Sequence, residues 1–276
     1  MNDLQIYITL GVFAAVILAI AFNVIDMALA VMLGASILMA LGILSQHDIL
    51  NSLNNSLGML LLLFGGMVVA RTLKPTGIFE QVGIRFLHAT RGSGKRFLLL
   101  LIALVAPICA VLPNATTVIL VAPIIIRVAI ALEIDIVGPM VLTAIISNSA
   151  GLLTLVGDPA TFLVGSAIGM TFTQYLNKVS LGGLLSILVV IPLLPRVMPE
   201  VWNARRELPA DLKPEPIKRP WLCLASFSVL GLMIALFMFG EDLPQPVVPP
   251  LVSVIAAALA LLVIYTSRVE SVDSII

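Results

Sequence analysis

The feature that most restricts this chain is the length and continuity of its apolar runs, which cover 4–22, 24–44, 57–73, 97–130, 136–169, 179–195, 221–240 and 247–266. A helix crosses the hydrocarbon core of a bilayer in about 20 residues. Six of the runs fit that length, and two, 97–130 and 136–169, overshoot it. Water cannot solvate such a sequence. Of its residues 60% are hydrophobic and 11% charged, with a mean hydropathy of +1.15, against about 45–50% and about 25% in a soluble domain. Outer-membrane barrels show short alternating stretches instead. The expected class is therefore an all-α polytopic membrane protein. No basic segment precedes the first run, so a cleaved signal peptide is not expected.

The two overlong runs carry breakers and polar residues near their middles. In 97–130 these are Pro107, Pro113, Asn114, Thr116 and Thr117; in 136–169 they are Ser147, Asn148, Ser149, Gly151, Gly157, Asp158 and Pro159. Irregular backbone survives at membrane depth only where protein or a water-filled cavity satisfies its N–H and C=O groups. Two broken elements with polar centres mark the midplane site of a secondary transporter. Taken alone, 97–130 also reads as an ordinary helix pair joined by a polar turn outside the membrane.

Basic residues set the orientation. Arg71, Lys74, Arg85, Arg91, Lys95 and Arg96 crowd one loop, and Arg196, Arg205, Arg206, Lys213, Lys218 and Arg219 another, together twelve of fifteen. The segments near 45–56 and 240–246 carry none, and the second holds Glu241 and Asp242. Residues 71–96 and 196–220 are therefore expected on the cytoplasmic side. Both loops fall there only if 97–130 re-enters and returns, with its tip near 113–117. Counting back from the first basic loop puts the N-terminus outside.

Residues 77–91 read as an amphipathic interfacial helix, with Ile78, Phe79, Val82 and Phe86 at helical spacing. Residues 198–218 hold four prolines among mixed charges and read as a linker. After it the pattern restarts. Two apolar spans lead into Val272-Asp273-Ser274-Ile275, as two near the start lead into His47-Asp48-Ile49-Leu50. The topology makes these copies inverted, as in an inverted-repeat transporter. Cys109 and Cys223, inside apolar runs, read as buried thiols. His47 and His88 have no metal-ligand spacing, and a net charge of +0 argues against nucleic acid. Asn23 and Asp26 read as a tight turn, Arg127 as the snorkelling end of the hairpin, and Trp202 and Trp221 as interfacial anchors.

The segments Leu112-Pro113-Asn114-Ala115-Thr116-Thr117 and Ser147-Asn148-Ser149-Ala150-Gly151 through Thr154, Gly157, Asp158 and Pro159 together resemble the ion-transporter superfamily. The likeness is to its branch of NhaD-type sodium–proton antiporters, arsenite permeases and the melanosomal pink-eyed-dilution protein, with a citrate-transporter-like domain. It covers most of residues 45–195. The resemblance implies two inverted repeats, each with a re-entrant hairpin and an unwound transmembrane helix, in an often homodimeric elevator-type transporter. It implies an ion site at Asn114, Thr116 and Thr117 of the tip and at Ser147, Asn148, Ser149, Gly151, Thr154, Gly157 and Asp158 of the break. Asn and Thr oxygens and freed carbonyls suit a small hard cation. The sequence departs from the pattern in three places. Pro113 stands where many antiporters have Asp, Ser149-Ala150-Gly151 lacks one glycine, and Ala160-Thr161 replaces Pro-Asn.

An ionisable residue at membrane depth is a functional candidate by default. Asp158 is accordingly read as a cation ligand or proton carrier, against the plainer reading of a helix-terminal carboxylate bonded to nearby N–H groups. The expected organisation is a first repeat over 1–197, a cytoplasmic linker over 198–218 and two opening helices of an incomplete second repeat over 219–276. The expected function is secondary transport of a small ion across a plasma or inner membrane. It would be cation/proton antiport or cation-coupled, with Na+ or H+ as coupling ion, no cofactor and no covalent catalysis. Two alternatives stand beside it: an anion permease for arsenite-like or carboxylate substrates, and a split or truncated half-transporter that needs a missing C-terminal half. No phosphate-cradling P-loop is present, which argues against ATP-driven transport.

Overall fold

A computed structural model describes residues 3–207 and 217–267. The middle of the linker, with Asp211 and Lys213, and the 272–275 echo lie outside the described residues. Every element among those described is helical. Six helices are long and apolar enough to cross a membrane. The chain divides into two compact units, Met1–Leu57 and Gly58–Ile276.

In the first unit, α1 (Asp3–Ala21) and α2 (Met27–Ala40) pack against each other, with Gly34 close against Val16. The turn between them has the expected chemistry. Asn23 sits at φ 51°, and the Asp26 carboxylate caps α2 by accepting from the N–H groups of Ala28 and Leu29. At 14 residues, α2 is shorter than the apolar run that contains it. α3 (Gln46–Leu73) begins well before its apolar run and carries the chain across the division between the units.

The second unit is built around α5 (Gly94–Cys109) and α6 (Asn114–Leu132), the two halves of the first overlong run. Pro107 weakens the last turn of α5, and Pro113 starts α6 from an extended conformation. The two pack together over Phe97, Leu98 and Leu101 on one side and Ile125, Val128 and Leu132 on the other. The amphipathic segment is a helix, α4 (Ile78–Thr90). Its buried face is not only the expected stripe, because Ile84 and Leu87 also turn inward and Phe86 meets Phe97 edge-on at 6.1 Å. Arg127 lies inside α6, which runs on to Leu132, and does not end the hairpin.

The second overlong run is also split, into α7 (Val137–Gly151) and α8 (Pro159–Ala167). Proline disfavours helical geometry in the residue before it, and Asp158 is extended at φ −137°, ψ 139°. Short α9 (Phe172–Lys178) leads into α10 (Ser180–Val197), and α11 (Pro199–Asn203) follows directly. α12 (Pro220–Phe239) and α13 (Pro249–Ser267) pack on each other and on the end of α3, where Gly65 lies against the backbone of Ser253. Two apolar cores result. One gathers α4, α5, α6, α7 and α10; the other gathers α3, α9, α12 and α13 and takes in Leu112 of the hairpin tip and Leu155 and Val156 of the helix break.

The two basic segments meet at one end of this unit. Ser93 and Arg205 form an antiparallel bridge, Gly94 N–H donates to Ala204 O at 2.9 Å, and Arg206 N–H donates to Gly92 O at 2.9 Å. Glu133, just past the end of α6, pairs with Arg206 at 2.8 Å. Both ends of the α5–α6 pair are thus held in one place. The acidic segment marks the opposite end, where Glu241 accepts from Phe172 N–H at 3.2 Å. Bridged residues hold their Cα atoms about 4.5–5.5 Å apart, within disulfide range, and both native cysteines are buried. S93C/R205C should therefore form an intramolecular disulfide under mild oxidation, read as protected thiols in a maleimide assay. Two freely reactive thiols would contradict the docking of these segments.

Candidate functional site

The first polar centre opens α6 and the second closes α7 and opens α8, so three polar side chains converge where helices end. Asn114 Nδ2 donates to Asn148 Oδ1 and to Asp158 Oδ1, each at 3.1 Å. An amide nitrogen has two protons, and both are used. The other atom of the amide, Asn114 Oδ1, is buried and has no hydrogen-bond partner. Asp158 uses its second oxygen to accept from Ala160 N–H at 2.9 Å, capping α8 ahead of Pro159. One oxygen of Asp158 thus does what the helix-terminal reading expects, while the other meets Asn114.

Gly151 makes this approach possible. A Cβ there would lie 2.9 Å from Asp158 Cβ and 3.3 Å from Asn114 Oδ1. The Pro113 ring, in place of a carboxylate, packs against Gly66 of α3, with 2.8 Å between Pro113 Cδ and a Cβ placed on that glycine. Gly66 is the middle residue of the apolar stretch Ser56–Thr76.

Around these residues, hydroxyls close the backbone groups freed by the breaks. Thr154 Oγ1 donates to Ala110 O at the hairpin tip and accepts from Gly157 N–H at 3.0 Å, tying tip to break. Ser180 Oγ donates to Leu153 O, and Tyr175 OH to Leu152 O at 3.3 Å. Thr161 Oγ1 donates to Asp158 O at 2.7 Å. Gly183 of α10 nests against Leu152, Leu153 and Ser149 O.

Of the residues expected at the site, Asn114, Asn148, Gly151 and Asp158 come together, while Thr154 and Gly157 brace them. Thr116, Thr117 and Ser147 are buried, and the hydroxyls of the last two bond to backbone instead of to the cluster. Thr117 turns back to Pro113 O at 3.4 Å and Ser147 to Ala144 O at 2.9 Å. Ser149 contributes its carbonyl, which lies against Gly183. The expected supply of free carbonyls is also reduced, since Ala110, Leu152 and Leu153 are already taken. Tyr175, Ser180 and Gly183 were missed by motif reading. Their one local signal is a serine and two glycines opening an otherwise apolar run at 180–183. Among the described residues, no three His, Cys, Asp or Glu side chains converge as a metal site would require.

Thr154→Val keeps the shape but leaves Ala110 O and Gly157 N–H without a partner. It should cost about 1–3 kcal/mol, measured by denaturant unfolding in detergent, with Thr154→Ser close to the parent. Equal stability of all three would remove the bracing role.

Relatives share this chain's pattern over nearly its whole length. The family model described as "Citrate transporter" matches residues 17–275. An uncharacterized transporter of Synechocystis sp. is 39% identical over 274 residues, covering 99% of this chain and 61% of the relative. An uncharacterized transporter of Mycobacterium bovis is 28% identical over 97% of this chain and 63% of its own length. The P protein of Homo sapiens is 28% identical over 74% of this chain and 25% of its own. The chain thus spans about three fifths of the length of the bacterial relatives it matches. Its apolar helices, its two broken elements and the match to the family model make it a membrane protein of the citrate transporter family.

Proposed function

We propose that this chain supplies one ion site of a secondary active transporter, coupled to a small cation bound between the α5–α6 tip and the α7–α8 break. The observation that carries this is the buried, unpartnered Asn114 Oδ1 beside the Asp158 carboxylate. Hard cations take oxygen ligands, and these two groups with Asn148 Oδ1 form an oxygen-rich cluster among helix ends. Either Na+ or H+ satisfies the chemistry. Asp158 is the group that carries charge or proton, and Asn114 is the group that senses it.

The same reading takes the α5–α6 pair as a re-entrant hairpin. Both ends of the α5–α6 pair meet the basic segment, and the tip rests on the middle of an apolar stretch long enough to span. α5, with 16 residues, reaches about 24 Å, short of a full crossing. α6, with 19 residues, is long enough to cross, so its re-entry rests on where its ends are held. With basic residues on the cytoplasmic side, the N-terminus lies outside and the chain is multi-pass in a plasma or inner membrane. The α1–α2 and α12–α13 pairs are read as corresponding parts of inverted repeats, completed by a C-terminal half or a second copy.

The description of the matching family favours a second reading for the cargo, a carboxylate anion moved with the cation. Pro113 in place of Asp fits it, because one fewer carboxylate stands at the tip.

Asp158→Asn removes the charge and keeps the cap on α8, since Asn caps helices as well as Asp does, at the loss of the acceptor that meets Asn114 Nδ2. In proteoliposomes it should lower cation-dependent flux at least about tenfold while insertion stays near the parent. Parallel measurement of sodium, proton and citrate flux in the parent distinguishes the cargo readings. Unchanged coupled uptake in Asp158→Asn would refute the site.

A further inference from the structure

The junction of the two basic segments builds a second site, unrelated to the ion cluster. Arg91, Lys95, Arg96, Arg205 and Arg206, with Glu207, line a cleft of about 530 Å³. It is held in shape by backbone, through the Ser93–Arg205 bridge and the hydrogen bonds joining Gly92 and Gly94 to Arg206 and Ala204. Arg91 and Gly92 are both in the left-handed region, at φ 48° and 70°, and a Cβ on Gly92 would collide with Arg206 O. The approach of the two chains is therefore specific to a glycine at this turn.

The charge in this cleft is poorly matched. Five cations face one lining carboxylate, Glu207, and Arg206 is paired with Glu133. Arg205 and Arg206 also line an adjoining cleft with Glu133, Asp135 and Glu200, which leaves Arg91, Lys95 and Arg96 facing Glu207 alone, an excess of two positive charges. Among the described residues, no other ion pair relieves it. Holding these groups together costs repulsion that a bound anion would reverse. A single phosphodiester leaves half of this excess in place, whereas two phosphates cancel it.

The surroundings select a lipid over a soluble anion. The cleft lies at the ends of α5 and α6, both apolar along their length. Lys95 sits over the Trp202 ring at 5.2 Å, and tryptophan beside a cation is usual at headgroup level. α7 starts beside α11, where Gly138 faces Met198 and Val201. It exposes Val137, Val141 and Ile145 at helical spacing, a track for acyl chains. Basic pockets between membrane helices bind the headgroups of multiply charged lipids.

We propose that this cleft binds the headgroup of a membrane lipid bearing two phosphates. The test uses the chain in phosphatidylcholine nanodiscs, titrated with diphosphatidylglycerol and followed by native mass spectrometry. Arg96 and Arg205 are exposed, so R96Q/R205Q should fold normally and lower the affinity about tenfold or more. R85Q/R196Q removes two exposed charges from the same basic segments but outside the cleft, and should leave affinity within about twofold. Soluble pyrophosphate should not displace the lipid, and phosphatidylglycerol should bind more weakly. Equal losses in the two variants would mean a diffuse field and no site. Displacement by pyrophosphate would assign the cleft to a soluble anion, and equal binding of phosphatidylglycerol would remove the two-phosphate requirement; either result overturns the proposal.

Discussion

A helix broken in an apolar surrounding exposes carbonyls that water cannot reach, and each left unsatisfied costs several kcal/mol. The centre of this chain is organised around that cost. Thr154, Tyr175 and Ser180 reach three such carbonyls, at Ala110, Leu152 and Leu153. Two of the three donors come from α9 and the start of α10, so the broken α7–α8 element depends on segments that follow it in sequence. Without them, the break would close into continuous helix or draw in water.

Satisfying the backbone this way leaves the side chains to do the chemistry. With three carbonyls occupied, the polar groups of the cluster that are not spent on backbone are the Asn114 amide, Asn148 and one oxygen of Asp158. Asn114 is the link, because its nitrogen joins two helix ends from opposite halves of the broken element while its oxygen stays unspent. Hydrogen bonds to charged groups contribute about 1.5–3 kcal/mol, more than neutral ones, so a change of charge at Asp158 acts on tip and break together. The basic junction works by a different balance. There the backbone enforces proximity of like charges, and the energy lies in repulsion that is kept rather than relieved.

The basic junction is also tied to the polar cluster. Gly94 and Glu133 tie both ends of the α5–α6 pair to residues 204–206, and the tip of that pair carries Asn114. The junction thus holds the base of the element whose apex touches the cluster. The link runs along two helices whose packed faces are almost wholly buried, at Phe97, Leu98, Leu101, Ile125 and Val128.

Much of the architecture was legible in the residues. Hydropathy located the helices to within a few residues for most of the apolar runs. Pro113, Gly151 and Pro159 marked the breaks, because a missing N–H, a missing Cβ and a restricted preceding residue are local properties. The basic residues marked 71–96 and 196–220 as alike in charge, but that Ser93 and Arg205, 112 residues apart, form a bridge was not in the pattern. What could not be read was which polar residues meet. Asn114 reaches Asn148 and Asp158 across 34 and 44 residues, while Thr116 and Thr117, two and three positions along the same helix, are rotated into packing. Thr154 looked like an ion ligand and serves as a brace, a role that follows from the position of Ala110. The sequence alone determined that this chain lives in a bilayer, where it breaks and which segments are basic, since these depend on composition and local backbone preference. Only the tertiary structure decided which oxygens stay unspent, because hydrogen-bond saturation depends on every neighbour that packing brings within reach.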